Sequence, residues 1–161
     1  MKYLKKTDPK ILSLIKEEAR RQKETLAMIP SENYTSEAVM ETLGSILTNK
    51  YSEGFPKKRY YQGNSVIDSI EILAQERAKK LFGVPYVNVQ ALSGAPANSA
   101  VYLAVLKNGE KMMGLDLASG GHITHGNPLG LSGRLFKVVH YKLSKQDVLD
   151  YDAIEKQVLQ E

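Results

Sequence analysis

The stretch running from Ser65 to about His140 confines the chain to one fold class, because its apolar residues change period in a fixed order. Ser65-Val66-Ile67-Asp68 reads as a capping box, a hydroxyl and a carboxylate three apart at a helix start. Ile67, Ile70, Ala74, Ala78 and Leu81 then recur at helical spacing, which predicts a buried stripe, and Gly83 stands where a C′ glycine would end the helix. Tyr86-Val87-Asn88-Val89 reads as a strand, Ser93-Gly94-Ala95-Pro96 as a turn, and residues 97–106 as a second helix bounded by Asn108-Gly109. Lys111–Leu115 and residues 134–140 read as further strands. Helices alternating with short strands predict an α/β domain with a largely parallel sheet. About three strands leave an open apolar edge, and residues 152–161 keep helical spacing at Ile154 and Val158 without a closing glycine or proline. The expectation is a domain that continues past Glu161.

Ahead of this lies a different organisation. Asp8 before Pro9 reads as an N-cap and first helical residue, with Ile11, Leu12, Ile15 and Ala19 on one face. A polar loop, Pro30-Ser31-Glu32-Asn33-Tyr34-Thr35-Ser36, precedes a short helix over residues 37–43. Residues 48–64 have no clear period, yet hold three of the nine tyrosines, the run Lys57-Lys58-Arg59, and Gly54, Pro56 and Gly63. Long irregular stretches inside domains tend to be functional or disordered, and this tyrosine density argues against disorder.

Composition removes several function classes. No apolar run approaches the roughly 20 residues needed to span a bilayer, and the basic start lacks the apolar core of a secretory signal. A cytoplasmic home with no membrane partner is expected. With no cysteine, neither a disulfide framework nor a thiolate zinc site can form. The net charge of +4 comes from basic residues interleaved with acidic ones, which fits a solvated surface or a small anionic ligand better than nucleic acid.

Three constellations carry chemistry. Ser93-Gly94 opens a helix, where unsatisfied amides and the helix dipole favour an anion such as phosphate; an ordinary crossover turn is the bland alternative. It is neither a Walker loop nor a dinucleotide fingerprint. Ser119-Gly120-Gly121-His122-Ile123-Thr124-His125-Gly126 places two histidines among glycines. The glycines disfavour the helix a metal pair would need and no carboxylate stands near, so no metal is expected, and a flat imidazole in such a loop suits stacking on an aromatic cofactor. Tyr51-Ser52-Glu53-Gly54 with Arg59-Tyr60-Tyr61 sets a carboxylate beside phenols and a cation, the makings of a general acid or base, or else an ordinary exposed loop.

Taken in order, Ile29-Pro30-Ser31-Glu32-Asn33-Tyr34-Thr35-Ser36, Thr48-Asn49-Lys50-Tyr51-Ser52-Glu53-Gly54, Lys58-Arg59-Tyr60-Tyr61-Gln62-Gly63, Asn88-Val89-Gln90 and Gly120-Gly121-His122-Ile123-Thr124-His125-Gly126 resemble the serine hydroxymethyltransferase family over almost the whole chain. The resemblance implies a fold-type I, aspartate aminotransferase-like pyridoxal-phosphate (PLP) transferase. Residues 1–47 would form an N-terminal helical arm and active-site loop, and residues 48–161 the first part of the PLP-binding large domain. It implies interconversion of serine and glycine, with the hydroxymethyl carbon passed to tetrahydrofolate, in a homodimer or a dimer-based oligomer. Ser31 would bind the substrate carboxylate. Glu53 would handle protons near the substrate hydroxyl and the folate. Tyr51 would reach the cofactor phosphate held by the partner subunit, and Glu53 would also act across that interface. Tyr61, with Tyr60 beside it, would lie at the substrate site. Ser93, Gly94 and Ala95 would form the phosphate turn and His122 would stack on the cofactor ring. Leu117, Gly121, His122 and Ile123 fall where the family contacts folate.

Two departures accompany the resemblance. Ala95 stands where the family usually has serine, so one hydroxyl donor to phosphate is missing; a hydrogen bond to a charged group is worth roughly 1.5–3 kcal/mol, which backbone amides or Ser93 can offset. Nothing here matches the threonine- and histidine-rich motif whose lysine holds the cofactor, and the expectation is a piece covering the first two fifths of such a protein, inactive by itself. Two other readings remain open at this point: a non-catalytic module that binds a phosphate ligand or a relative, and a PLP-dependent aldolase of other β-hydroxy amino acids.

Overall fold

In the computed structural model, which describes all 161 residues, the chain divides into two units, Met1–Asp68 and Ser69–Glu161. The first opens with a short helix α1 (Lys2–Thr7) and the longer α2 (Pro9–Glu24). Asp8 caps α2 as its place before Proline 9 predicts: its carboxylate accepts a hydrogen bond from the Ile11 amide at 3.0 Å. Helix α3 (Glu37–Leu43) coincides with the predicted segment and is capped by the Ser36 hydroxyl. A 3-10 turn at Ile46–Asn49 leads into a minimal antiparallel hairpin of β1 (Gly54–Phe55) and β2 (Lys58–Arg59), with Gly54 opposite Arg59 and Phe55 opposite Lys58. Gly54 is irreplaceable on steric grounds: its φ is +96°, and a Cβ there would collide with the Lys58 carbonyl.

Helix α4 (Ser65–Phe82) begins in the first unit and ends in the second, closed by Gly83 at φ +64° as its C′ position predicts. The second unit continues with α5 (Gly94–Val105), β3 (Lys111–Leu115), a 3-10 turn at Leu117–Ser119, α6 (Leu131–Leu135), β4 (Lys137–Tyr141) and α7 (Tyr151–Gln160). Strands β3 and β4 pair in parallel from Lys111 opposite Lys137 to Leu115 opposite Tyr141. Their crossover carries the glycine- and histidine-rich loop and α6. Phe136, 6% exposed, is the buried centre of this unit and meets the Tyr102 ring of α5 edge-on at 6.2 Å.

Five sequence expectations change. Tyr86-Val87-Asn88-Val89 is not a strand: β3 and β4 pair only with each other, and the Asn88 side chain instead accepts from the Gln90 amide at 2.8 Å in a local turn. The parallel sheet therefore has two strands. Helix α5 starts at Gly94, three residues early, and an unanticipated α6 occupies the start of the segment read as a last strand, so that β4 begins at Lys137. Asp68 does not complete a capping box; its carboxylate is engaged by the Lys57 amide and Arg59. The stripe of α4 is not buried either, with Ile70 40% and Leu81 77% exposed.

That exposure is general. The accessible surface is 13675 Å², whereas a compact monomer of 17.9 kDa would expose about 8,000 Å². Much of the difference is apolar, as on α2, where Ile11, Leu14 and Ile15 are all exposed. Expressed by itself, the chain should bind a hydrophobic dye such as ANS strongly at neutral pH while keeping native-like far-ultraviolet circular dichroism. A folded chain that leaves the dye dark would contradict the exposed faces.

Candidate functional site

The irregular stretch 48–64 is held in place by its backbone carbonyls. The Lys50 ammonium donates to the Tyr51 carbonyl at 3.1 Å and to that of Gln62 at 2.8 Å. Arg59 Nη1 donates to the carbonyls of Ser52 at 2.8 Å and Gly54 at 2.7 Å, and the Tyr60 amide donates to the carbonyl of Glu53 at 3.2 Å. Every carbonyl from Tyr51 to Gly54 thus accepts a bond from elsewhere in the segment. Arg59 is fixed in turn by Asp68 in the first turn of α4: Nε to Oδ1 is 2.8 Å, with the guanidinium side chain 5% and the carboxylate side chain 16% exposed. The other oxygen of Asp68 accepts from the Lys57 amide at 2.8 Å, which supports Lys57 at the hairpin turn in a left-handed conformation, φ 64°. The Lys57 amide first, and Arg59 second, hold the Asp68 carboxyl below its ordinary range.

This frame brings three of the expected residues together. The neighbouring Glu53 carboxylate, as a hydrogen-bond acceptor first and by its charge second, raises the Tyr51 phenol above its ordinary value of about 10. The rings of Tyr51 and Tyr61 meet edge to face, 5.3 Å apart at 73°. Glu53 itself is exposed. An exposed carboxylate beside a phenol can accept or return a proton. Tyr60 is adjacent in sequence but points its ring into solvent, 79% exposed. Ser31 sits exposed in the turn at residues 30–31 and shares no hydrogen bond or ring contact with the other three. Near it a hollow of about 470 Å³ is lined by residues including Arg21, Glu32, Asn33 and Tyr34. Its Arg21 is paired bidentately with Glu18, at 2.7 Å for each bond, which lowers the Glu18 carboxyl to about 2.

In the second unit Ser93 is the N-cap residue of α5, but its hydroxyl makes no capping bond, and a Cβ built on Gly94 would meet nothing within 4 Å. Amides, hydroxyl and open space coincide there, the requirements for an anion at a helix N-terminus. Ala95 lies exposed in the first turn, its carbonyl accepting from the Ser99 hydroxyl at 2.9 Å. His122 is exposed on the crossover loop, its ring 5.8 Å from that of His125. Leu117 and Ile123 flank it in sequence, each 48% exposed. Gly121 lies against the Leu115 carbonyl, so closely that a Cβ would collide.

The sequence profile of serine hydroxymethyltransferase matches residues 4–161. The chain belongs to the serine hydroxymethyltransferase family. Curated relatives bearing that name include proteins of Desulfotalea psychrophila, 52% identical over 160 residues, and of a Nostoc species, 53% identical over 160 residues; each alignment covers 99% of this chain and 38% of the relative. A Prochlorococcus marinus relative is 54% identical over 156 residues, covering 96% of this chain and 38% of its own length. The chain therefore spans 38% of the length of these family members. No helix is long and apolar enough to cross a membrane.

Sequence reasoning missed the residues that hold the site. In the sequence Asp68 reads as a cap and Arg59 as a cation beside Glu53, and nothing singles out Asn98, Thr124 or Ser132. For Asp68 the only available signal was a carboxylate nine residues from an arginine, which no periodicity rule selects.

The effect of the carboxylate on the phenol can be measured. The ultraviolet titration of Tyr51, isolated among nine tyrosines as the difference between the parent chain and Tyr51→Phe, should have its midpoint above 10 and fall back toward 10 in Glu53→Gln. An unchanged midpoint in Glu53→Gln would show that the carboxylate does not act on the phenol.

Proposed function

We propose that this chain supplies the proton-handling and cofactor-contacting N-terminal part of an enzyme that interconverts serine and glycine and passes the hydroxymethyl carbon to tetrahydrofolate. The observation that carries the reading is the exposed Glu53 carboxylate beside the Tyr51 phenol, on backbone whose carbonyls from Tyr51 to Gly54 are all held. Family membership supports the reaction class, and the name the relatives bear states it for them.

The residue roles follow from the chemistry of each group. Glu53 takes up or returns the proton of the substrate hydroxyl, or of the folate nitrogen, and Tyr51 orients the carboxylate by donating to it. Tyr61 packs edge-on against Tyr51 and limits where that phenol can swing, with Tyr60 beside it at the substrate. Ser31 binds the substrate carboxylate through its hydroxyl. Ser93, Gly94 and Ala95 hold the cofactor phosphate; the Ser93 hydroxyl, unused by the helix, offsets the hydroxyl that Ala95 lacks. The exposed imidazole of His122 stacks on the cofactor ring, and Leu117, Gly121, His122 and Ile123 contact folate. Pyridoxal phosphate, when bound, supplies the electron sink for the carbanion. The mixed helix–strand architecture with a parallel pair fits the fold-type I large domain. By role rather than by compactness, residues 1–47 form its arm and residues 48–161 its first part. The working protein is a cytoplasmic homodimer or dimer-based oligomer in which Tyr51 and Glu53 serve the partner's site.

Residues 1–161 joined to the C-terminal remainder of the Desulfotalea psychrophila relative provide the test. Glu53→Gln in that chimera should leave pyridoxal phosphate and glycine binding intact and lower folate-dependent serine turnover by about 10²–10⁴-fold, the usual contribution of a general acid–base group. A loss below about threefold, the size of an ordinary surface substitution, would remove Glu53 from the reaction.

A further inference from the structure

The loop that carries His122 is tied to α5 by a chain of side-chain hydrogen bonds. Asn98, on the second turn of α5, lies with Nδ2 2.9 Å from Thr124 Oγ1, and Thr124 Oγ1 lies 2.7 Å from His122 Nδ1. The Thr124 backbone amide also donates to His122 Nδ1, at 3.2 Å. Beneath them Ser132, 4% exposed, donates its hydroxyl to the Thr124 carbonyl at 2.8 Å and accepts from the Gly126 amide at 2.9 Å. Gly126 has φ +100° and a Cβ there would strike Val138 of β4, so the loop fits the sheet only with glycine at that point.

The polarity of this chain is fixed by what each group can do. An amide NH₂ only donates, and so does a backbone N–H. Nδ1 receiving the Thr124 amide is therefore an acceptor. The Thr124 hydroxyl, receiving from Asn98, directs its own hydrogen to the same Nδ1. The imidazole proton is left on Nε2, at the edge away from these donors. We propose that Thr124 and Asn98 are positioning residues that fix the tautomer and orientation of His122 and set its ring at a constant distance from the helix that begins at Gly94. The inference deepens the cofactor reading and rests on it for its purpose: one helix carries the phosphate turn at its first residues and, through Asn98, steers the ring expected to stack on the same molecule. Thr124 and Asn98 touch no reacting atom; they act through His122.

The test reads the tautomer directly. Solid-state nitrogen-15 NMR on the histidine-labelled chain, which has three histidines, is run at about pH 8.5, two units above the ordinary imidazole value of about 6.5. His122, assigned by its loss in His122→Asn, should show a pyridine-type Nδ1 and a protonated Nε2. Thr124→Val should raise the minor Nδ1–H tautomer about fivefold, the equilibrium worth of one ordinary hydrogen bond. Thr124→Ser, which restores the hydroxyl, should return the parent signal. Asn98→Asp, which can only accept from Thr124, should move the tautomer in the same direction as Thr124→Val. Equal tautomer populations in the parent and Thr124→Val, with the His140 signals of β4 unshifted to show an intact sheet, would overturn the proposal. Failure of the cofactor reading shows elsewhere: His122→Ala in the chimera would then retain pyridoxal phosphate as well as the parent does, while the tautomer result stands.

Discussion

The ion pair between Arg59 and Asp68 is the interaction on which the first unit's chemistry depends. A loop of small, polar and aromatic residues has no core to define it, and Glu53 and Tyr51 are exposed. What gives them a fixed geometry is a guanidinium that donates to the carbonyls on both sides of Glu53 while being held by a carboxylate on α4. Arginine suits this task because its planar fork presents several donors at once, which a lysine ammonium cannot reproduce. Asp68 has a depressed carboxyl, so its contribution is fully present above the ordinary value near 3.8 and is lost as pH falls through the lower folded-state value. At neutral pH the clamp is therefore fully charged.

The second unit solves the same problem with glycine and serine. Gly114, Gly121 and Gly126 each lie where a Cβ would meet backbone or a β4 side chain, which lets the crossover loop settle onto β3 and β4. Ser132 then ties two turns of that loop together from a buried position. Both units place chemistry on loops whose backbone is over-determined, the arrangement that precise sites require. Neither unit buries much apolar surface.

Local structure was legible at two of the caps. Asp8 before Pro9 and Gly83 after Phe82 each mark a boundary that holds within a residue, because capping is a contact between near neighbours. The parallel pairing of β3 and β4 was legible from the alternation of elements. Burial was not: the stripe of α4 is periodic, but periodicity says which face would be covered, not what covers it. The strand expected at Tyr86-Val87-Asn88-Val89 failed for a related reason, since strand propensity needs a partner to satisfy the ladder. Of the candidate site, the motifs single out Tyr51, Glu53 and Tyr61, and of these the rings of Tyr51 and Tyr61 meet edge to face. The supporting residues were invisible because they act through contacts five to 26 positions apart that follow no period, from Arg59 with Gly54 to Asn98 with Thr124.

The central claim is that Asp68, through Arg59, holds the backbone around Glu53. Hydrogen exchange followed by mass spectrometry on the parent chain and on Asp68→Asn tests it most directly. The account predicts that the amides of Lys57 and Tyr60, bonded to the Asp68 carboxylate and the Glu53 carbonyl, lose protection together in the variant, while β3 and β4 exchange as in the parent. Unchanged protection at both amides would show that the segment is held by something other than this pair.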